Sequence, residues 1–379
     1  MKKQIYIVIV SITLTLALIS IARSTDITRA IRWKIYDELT KAEYRIRLKA
    51  PVTNDILLVT IGNKTLSSSD EKWPYSRLKF AEVINKLKKA GAKVIAFDFI
   101  FYGDSAPEED AVLKKAIEDA GNVVLGAAID EEGKAHVSTG LLGAVNSGII
   151  SKFQDYDGVV RRDLTYLVSG DDRDEGFFSW SMRILKLAED VDLSSVSDDR
   201  STVRFENTRG EEWEIPIEHD TNSFLIHFRA HTADFQRISF IDVLNNEYDP
   251  KRVKDKIVIV GLASAMFGDI HNTPLGWLPG ITLNTNAFLA LYNHDFLVKV
   301  PGTAETAVVI LGVIMESLAV LSFSRPRIIL FAASEIALFL ALSLVLLAYG
   351  RVWDYSLFPA AVILCPALSK KILDLSSFV

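Results

Sequence analysis

The run Lys93-Val94-Ile95-Ala96-Phe97-Asp98-Phe99-Ile100-Phe101 decides the fold. It is apolar apart from Lys93 and Asp98, rich in β-branched and aromatic residues, and bracketed by Gly91 and Gly103. A run of that length and composition reads as a buried strand rather than a helix. Upstream, Ser76 to Ala90 has helical character, and before it Ile56 to Ile61 is a second β-branched run. Downstream come a helix near Asp110 to Ala120, Gly121 at its end, and a strand from Asn122 to Ile129. Strands alternating with helices imply a mainly parallel sheet covered by helices on both faces.

The pattern loosens in the middle. Gly158 to Val168, Thr202 to Phe205, Trp213 to Ile217 and Ser223 to Phe228 read as shorter, partly antiparallel strands, interrupted by one helix from Phe177 to Ala188. The parallel pattern resumes at Lys256 to Gly261, and a helix from about Thr282 to Tyr292 follows. No internal repeat or low-complexity linker divides this α/β region, so one domain is expected.

Both ends are apolar. Ile5 to Ile21 carries no charge and is long enough to span a bilayer. It reads as an uncleaved anchor, with Ser20-Ile21-Ala22 leaving a signal-peptidase site as the alternative. Near the C-terminus, Ala304 to Leu321, Ile328 to Tyr349 and Val352 to Leu368 read as three further transmembrane helices, making four. Short loops rich in Lys and Arg stay cytoplasmic, which assigns Lys2/Lys3, Arg325/Arg327 and Lys370/Lys371 to the inside. The expected organisation is an anchor over 1–22, an extracytoplasmic domain over 23–303, three transmembrane helices over 304–369 and a cytoplasmic tail over 370–379. Thr25 to Leu48 reads as an amphipathic helix stopped by Pro51, and leaves homodimerisation open.

Charge and cysteine usage exclude several classes. Removing the seven Lys/Arg and five Asp/Glu of the flanking segments from the chain's 42 and 48 leaves the middle with a net charge of about −8. Nucleic acid is not expected as a partner. The single cysteine, Cys365, lies in the last apolar stretch, so the exported domain has no disulfide and no thiolate metal site.

Several phrases fall where such a fold turns. They are Trp73-Pro74-Tyr75-Ser76-Arg77, Phe97-Asp98-Phe99-Ile100-Phe101, Asp157-Gly158-Val159-Val160-Arg161-Arg162, Lys256 to Gly261, Asp269, Thr273-Pro274 and Pro279-Gly280-Ile281. In this order, from about Tyr36-Asp37 to Leu297, they resemble the type 2 CHASE domain, the extracellular sensory domain associated with bacterial cyclases and histidine kinases. The resemblance implies a bacterial inner-membrane receptor for an envelope signal. The family usually follows its helices with a cyclase, kinase or phosphatase domain, whereas this sequence ends about ten residues after its last apolar stretch. Output is therefore expected from a separate effector protein. A second departure is His227-Phe228-Arg229-Ala230, where the family often reads Asn-Tyr-Arg-Gly.

Parallel sheets bind ligands beyond the carboxyl ends of their strands. The ligand-binding candidates are accordingly Asp98, Ser264 and Asp269, with Arg77 as the expected charge partner of Asp98; an ion pair of purely structural value is the competing reading. Asp157 to Arg162 reads as a turn with solvated charges. His227 and His231 on one strand would stand about 13 Å apart, so no metal site is expected. The acids Asp104, Glu108, Glu109 and Asp110 read as a helix N-terminal cluster rather than a calcium site.

Glu316 and Glu335 lie inside apolar stretches that hold no Lys, Arg or His. Both fall about 10–12 Å from the cytoplasmic turn by helical rise. A carboxyl in hydrocarbon keeps its proton or finds a partner. The two either share a proton, receive a polar residue of a partner's helix, or fasten this chain's own helices together. No nucleophile, base and orienter occur in recognisable spacing, so no catalytic site and no cofactor are expected. The reading is a non-enzymatic sensor subunit acting through a separate membrane or cytoplasmic effector; the alternative is a structural subunit of an envelope complex.

Overall fold

The structure, a computed structural model, describes residues 2–22, 25–48, 54–69, 71–103, 105–129, 135–136, 146–167, 177–199, 201–218 and 221–376. Pro51, Asp104 and Val168, invoked above, lie outside the described residues. The chain forms two compact units, residues 50–296 and a helical unit of 1–49 with 297–379.

The first unit is built on six parallel strands: β1 (Ile56–Ile61), β2 (Val94–Phe97), β3 (Val123–Ile129), β4 (Asn146–Ile149), β5 (Gln236–Ser239) and β6 (Ile257–Leu262), in the order β5-β1-β6-β2-β3-β4. The two-residue strand Ala135–His136 adds antiparallel pairing at the end of β3. The central strands are apolar on both faces because both faces are covered. Leu57, Val59, Phe97, Val258 and Val260 point into a core shared with Phe80, Val83, Ile84, Leu113, Ile117 and Val243. These last come from α4 (Arg77–Lys89), α5 (Pro107–Ala120) and α7 (Phe240–Leu244). The alternate residues meet α6 (Trp180–Glu189) and α8 (Gly280–Tyr292), which is buried along nearly its whole length.

Both edge strands escaped the sequence reading. Asn146–Ile149 and Gln236–Ser239 are short and carry Asn, Ser, Gly, Gln and Arg, since an edge strand has solvent on one side. A Cβ on Gly148 would lie 2.4 Å from the Trp180 backbone, so only glycine lets α6 cross there. The expected strand over 93–101 is shorter than read: β2 ends at Phe97, and Phe99 and Phe101 turn into an aromatic cluster with Phe80 and Phe97. The middle strands do pair antiparallel, 202–206 with 212–216 and 162–164 with 223–225.

The helical unit contains α1 (Lys2–Ala22), α2 (Asp26–Ile46), α9 (Gly302–Ser322), α10 (Arg325–Ala348) and α11 (Leu357–Ser376). Two of these, α9 and α10, are long and apolar enough to cross a membrane, three if the bent pair α1 and α2 counts as one. This is fewer than the four spans read from the sequence. The stretch Val352 to Leu368 is not one helix: Arg351–Val352 pairs in parallel with Val298–Lys299, Asp354 sits in the turn that follows, and α11 starts at Leu357. That helix then carries Lys370, Lys371 and Asp374 in its last turns. On α10, Ile329, Leu330 and Leu338 are each about 70% exposed, a face that suits lipid rather than water. Nor does α2 stand alone. Arg32 pairs with Asp354 at 3.2 Å, and the Tyr36 and Tyr355 rings lie 6.4 Å apart, within the helical unit.

Candidate functional site

Strands β1, β5 and β6 end at one edge of the sheet, and beyond them opens a cavity of about 500 Å³. Thr60, Gly62, Asn63 and Lys64 come to it from the end of β1 and from α3 (Asn63–Ser68), and Thr232, Arg237 and Ser239 from β5 and the turn before it. Ala263, Ser264, Ala265 and Met266 follow β6. Ser264 was expected here because it follows a strand, and it does line the cavity. Its hydroxyl is already engaged, donating to Asn63 Oδ1 at 2.9 Å and accepting the Met266 amide at 3.3 Å.

Asp98 and Asp269 are electrostatic neighbours. Asp98 caps β2, its amide donating to the Val260 carbonyl at 2.8 Å and its Oδ1 accepting from Asn284 Nδ2 on α8 at 2.6 Å. Its Oδ2 is buried without a hydrogen-bonding partner. Burial, and then the Asp269 carboxylate, push the Asp98 carboxyl well above the usual carboxylate range, against the opposing pull of Lys152 and Asn284. Asp269 lies directly against the start of α8: a Cβ on Gly280 would fall 2.3 Å from its Oδ2. Its Oδ1 pairs with His271 Nε2 at 2.9 Å.

Arg77 does not join Asp98. It is buried at the first position of α4, with Nε 2.9 Å from Asp110, a guanidinium N–H donating to the Gly103 carbonyl at 2.6 Å, and the Phe101 ring 5.2 Å beneath. Its amide donates to Glu109 at 3.2 Å. The acids expected as a helix N-terminal cluster are thus partly consumed in holding Arg77, which fastens the turn at Gly103 to α4 and α5.

Two buried charge clusters were missed in the sequence. His227 and Arg229 share Asp295, at 3.2 and 2.9 Å, while Asn286 Oδ1 accepts the amides of Arg229 and Ala230. Burial works against the Asp295 charge, but His227 and Arg229 hold its carboxyl well below the usual range. The second cluster corrects the reading of Asp157 to Arg162 as solvated. Gly158 does turn the chain with φ +76°, but Arg161 is fully buried, bridged to Asp155 and Asp157 at 2.8 Å. Beside it, Lys152 pairs with Asp163 at 2.7 Å next to a second cavity of about 370 Å³. In the first cluster Arg229 and Asp295 stand 66 residues apart, which no spacing pattern reveals.

In the helical unit Glu316 is fully buried on α9 and Glu335 nearly so on α10. The two carboxyls are electrostatic neighbours, and neither forms a hydrogen bond of good geometry. Close by, Ser317 and Cys365 Sγ lie 3.2 Å apart on α9 and α11. Among the described residues no group of three or more His, Cys, Asp or Glu side chains could hold a metal ion.

No curated protein and no solved structure matches this chain. The family model for the CHASE2 domain matches residues 14–319. The match extends beyond the resemblance read from Tyr36 to Leu297, taking in the C-terminal part of α1 from residue 14 and nearly all of α9. This chain belongs to the CHASE2 domain family, whose domain is an extracellular sensory one.

Proposed function

We propose that this chain is a membrane-held sensor subunit of a bacterial inner membrane, binding an envelope solute in its α/β domain and acting through a separate effector protein rather than by catalysis. The observation that carries the reading is the 500 Å³ cavity where β1, β5 and β6 end, built from several chain segments in a domain of a sensory family. Cavities of this size take small molecules. In this reading α1 and α11 cross beside α9 and α10, with both termini cytoplasmic. Their packing against α9, and Lys2/Lys3 and Lys370/Lys371 at their ends, support it. The lysines of α11 would reach the interface along their apolar stems. Glu316 and Glu335 are the contact offered to the effector's helix, because two carboxyls buried side by side in apolar helices suit a polar partner.

The test is thermal melting of the full-length protein in mild detergent against a panel of small solutes. A solute that raises the melting temperature of the wild type, and not of an Ala263→Trp variant whose new side chain fills the cavity, supports the sensor. Absence of any shift across the panel would favour a structural subunit that uses the domain only for docking.

A further inference from the structure

We infer that the cavity beyond β1 and β6 is a site for a small oxyanion, carboxylate or phosphate, held by Arg237, Lys64 and the Asn63 amide. The inference rests on the sensor reading and narrows its ligand class.

The argument is one of charge and donor balance. The domain is acidic by sequence, yet the cavity is lined by two cations and no Asp or Glu. Lys64 is shared, 2.6 Å from Asp242, but its side chain is 59% exposed. Among the described residues no acid lies within ion-pair distance of Arg237. A further cation, Arg252, donates to the Arg237 carbonyl at 3.0 Å.

The Ser264 and Thr60 hydroxyls give their hydrogens to protein acceptors, so it is the two cations that set what this lining attracts. Ser264 donates to Asn63 Oδ1, so what Asn63 has left to offer is its amide N–H groups. Thr60 donates to the Ile238 carbonyl at 3.4 Å, and the Thr232 and Thr282 hydroxyls are joined at 2.6 Å. A cationic solute would meet like charge here, and a neutral polyol would leave both cations without a counter-charge. An oxyanion would meet two cations and N–H donors in a forked arrangement that guanidinium groups serve well. If Lys64 and Arg237 are merely solvated surface charges, anions would bind no better here than elsewhere on the domain.

Calorimetric titration of the full-length protein in mild detergent, at constant ionic strength, separates these cases. The probes are inorganic phosphate, succinate and citrate, with arabinose as neutral and putrescine as cationic comparison. Saturable binding of at least one oxyanion is expected, weakened about tenfold or more by Arg237→Gln and further by Lys64→Gln. Arg237→Lys, which keeps the charge and loses the fork, should retain part of it, and Arg204→Gln, on an exposed strand outside the cavity, all of it. Both cavity cations are surface-accessible, so these variants should melt like the wild type. Oxyanion binding unchanged by the Arg237→Gln, Lys64→Gln double variant, or no oxyanion binding at all, overturns the inference. Binding of arabinose or putrescine alone, lost in Ala263→Trp, overturns it while leaving the sensor reading standing. Which oxyanion binds distinguishes free phosphate from organic acids.

Discussion

Asn284 on α8 donates from Nδ2 to Oδ1 of Asp98 at 2.6 Å, tying the carboxyl end of β2 to a helix buried along nearly its full length. The other Asp98 oxygen has no partner, and burial raises the carboxyl's pKa. A carboxyl raised on folding stabilises the native state at pH below its unfolded value, and that contribution is lost as pH rises through the folded value. Asp98→Asn, which keeps the bond from Asn284, should therefore raise the melting temperature at pH 7–8 and change it little near pH 4. A loss of stability at neutral pH would mean instead that Lys152 depends on an ionised Asp98.

Asp295 behaves oppositely. Its carboxyl is lowered by His227 and Arg229, so its contribution is present above the unfolded value of about 3.8 and fades as pH falls through the lower, folded value. Asp295→Asn leaves Arg229 buried without its counter-charge, at a cost of about 3–5 kcal/mol near neutral pH. Denaturant unfolding at pH 7 and in acid checks both parts; an equal loss at both would show that packing, not charge, is what Asp295 supplies.

Gly148→Ala should destabilise the domain by about 1–3 kcal/mol, because the new methyl would meet the Trp180 backbone and α6 would have to shift off the sheet. An unchanged melting temperature would place α6 farther from β4 than the structure does.

Replacing Glu316 and Glu335 together by Gln preserves shape and polarity while removing both titrating groups. The double variant should insert and melt like the wild type yet lose the effector that co-purifies with the wild type in mild detergent. Retention of that effector would reduce the pair to a bond between this chain's own helices.

How far the sequence could be read follows from burial. The inner strands β1, β2 and β6 are covered on both faces and so announce themselves as continuous apolar runs; the edges β4 and β5, half-solvated and polar, do not. Ser264 could be placed at the cavity because a residue following a parallel strand has little choice of location. The partner of Arg77 could not be, because Asp98 and Asp110 stand at comparable distances along the chain and only the turn at Gly103 brings one of them to the guanidinium. Asp354 hid inside an apolar run and made Val352 to Leu368 look like an uninterrupted span. The cations of the cavity were invisible for another reason: Lys64 and Arg237 come from opposite sides of the fold's sequence, and nothing local marks either as facing a ligand.

A receptor for an envelope solute must open its cavity on the outer side of the membrane. Met266, 81% exposed at its rim, and a single native cysteine, Cys365, which is fully buried, make the measurement direct. In a Met266→Cys variant, a membrane-impermeant maleimide should label intact cells as completely as lysed ones. Labelling that appears only after lysis would put the domain on the cytoplasmic side and contradict the account.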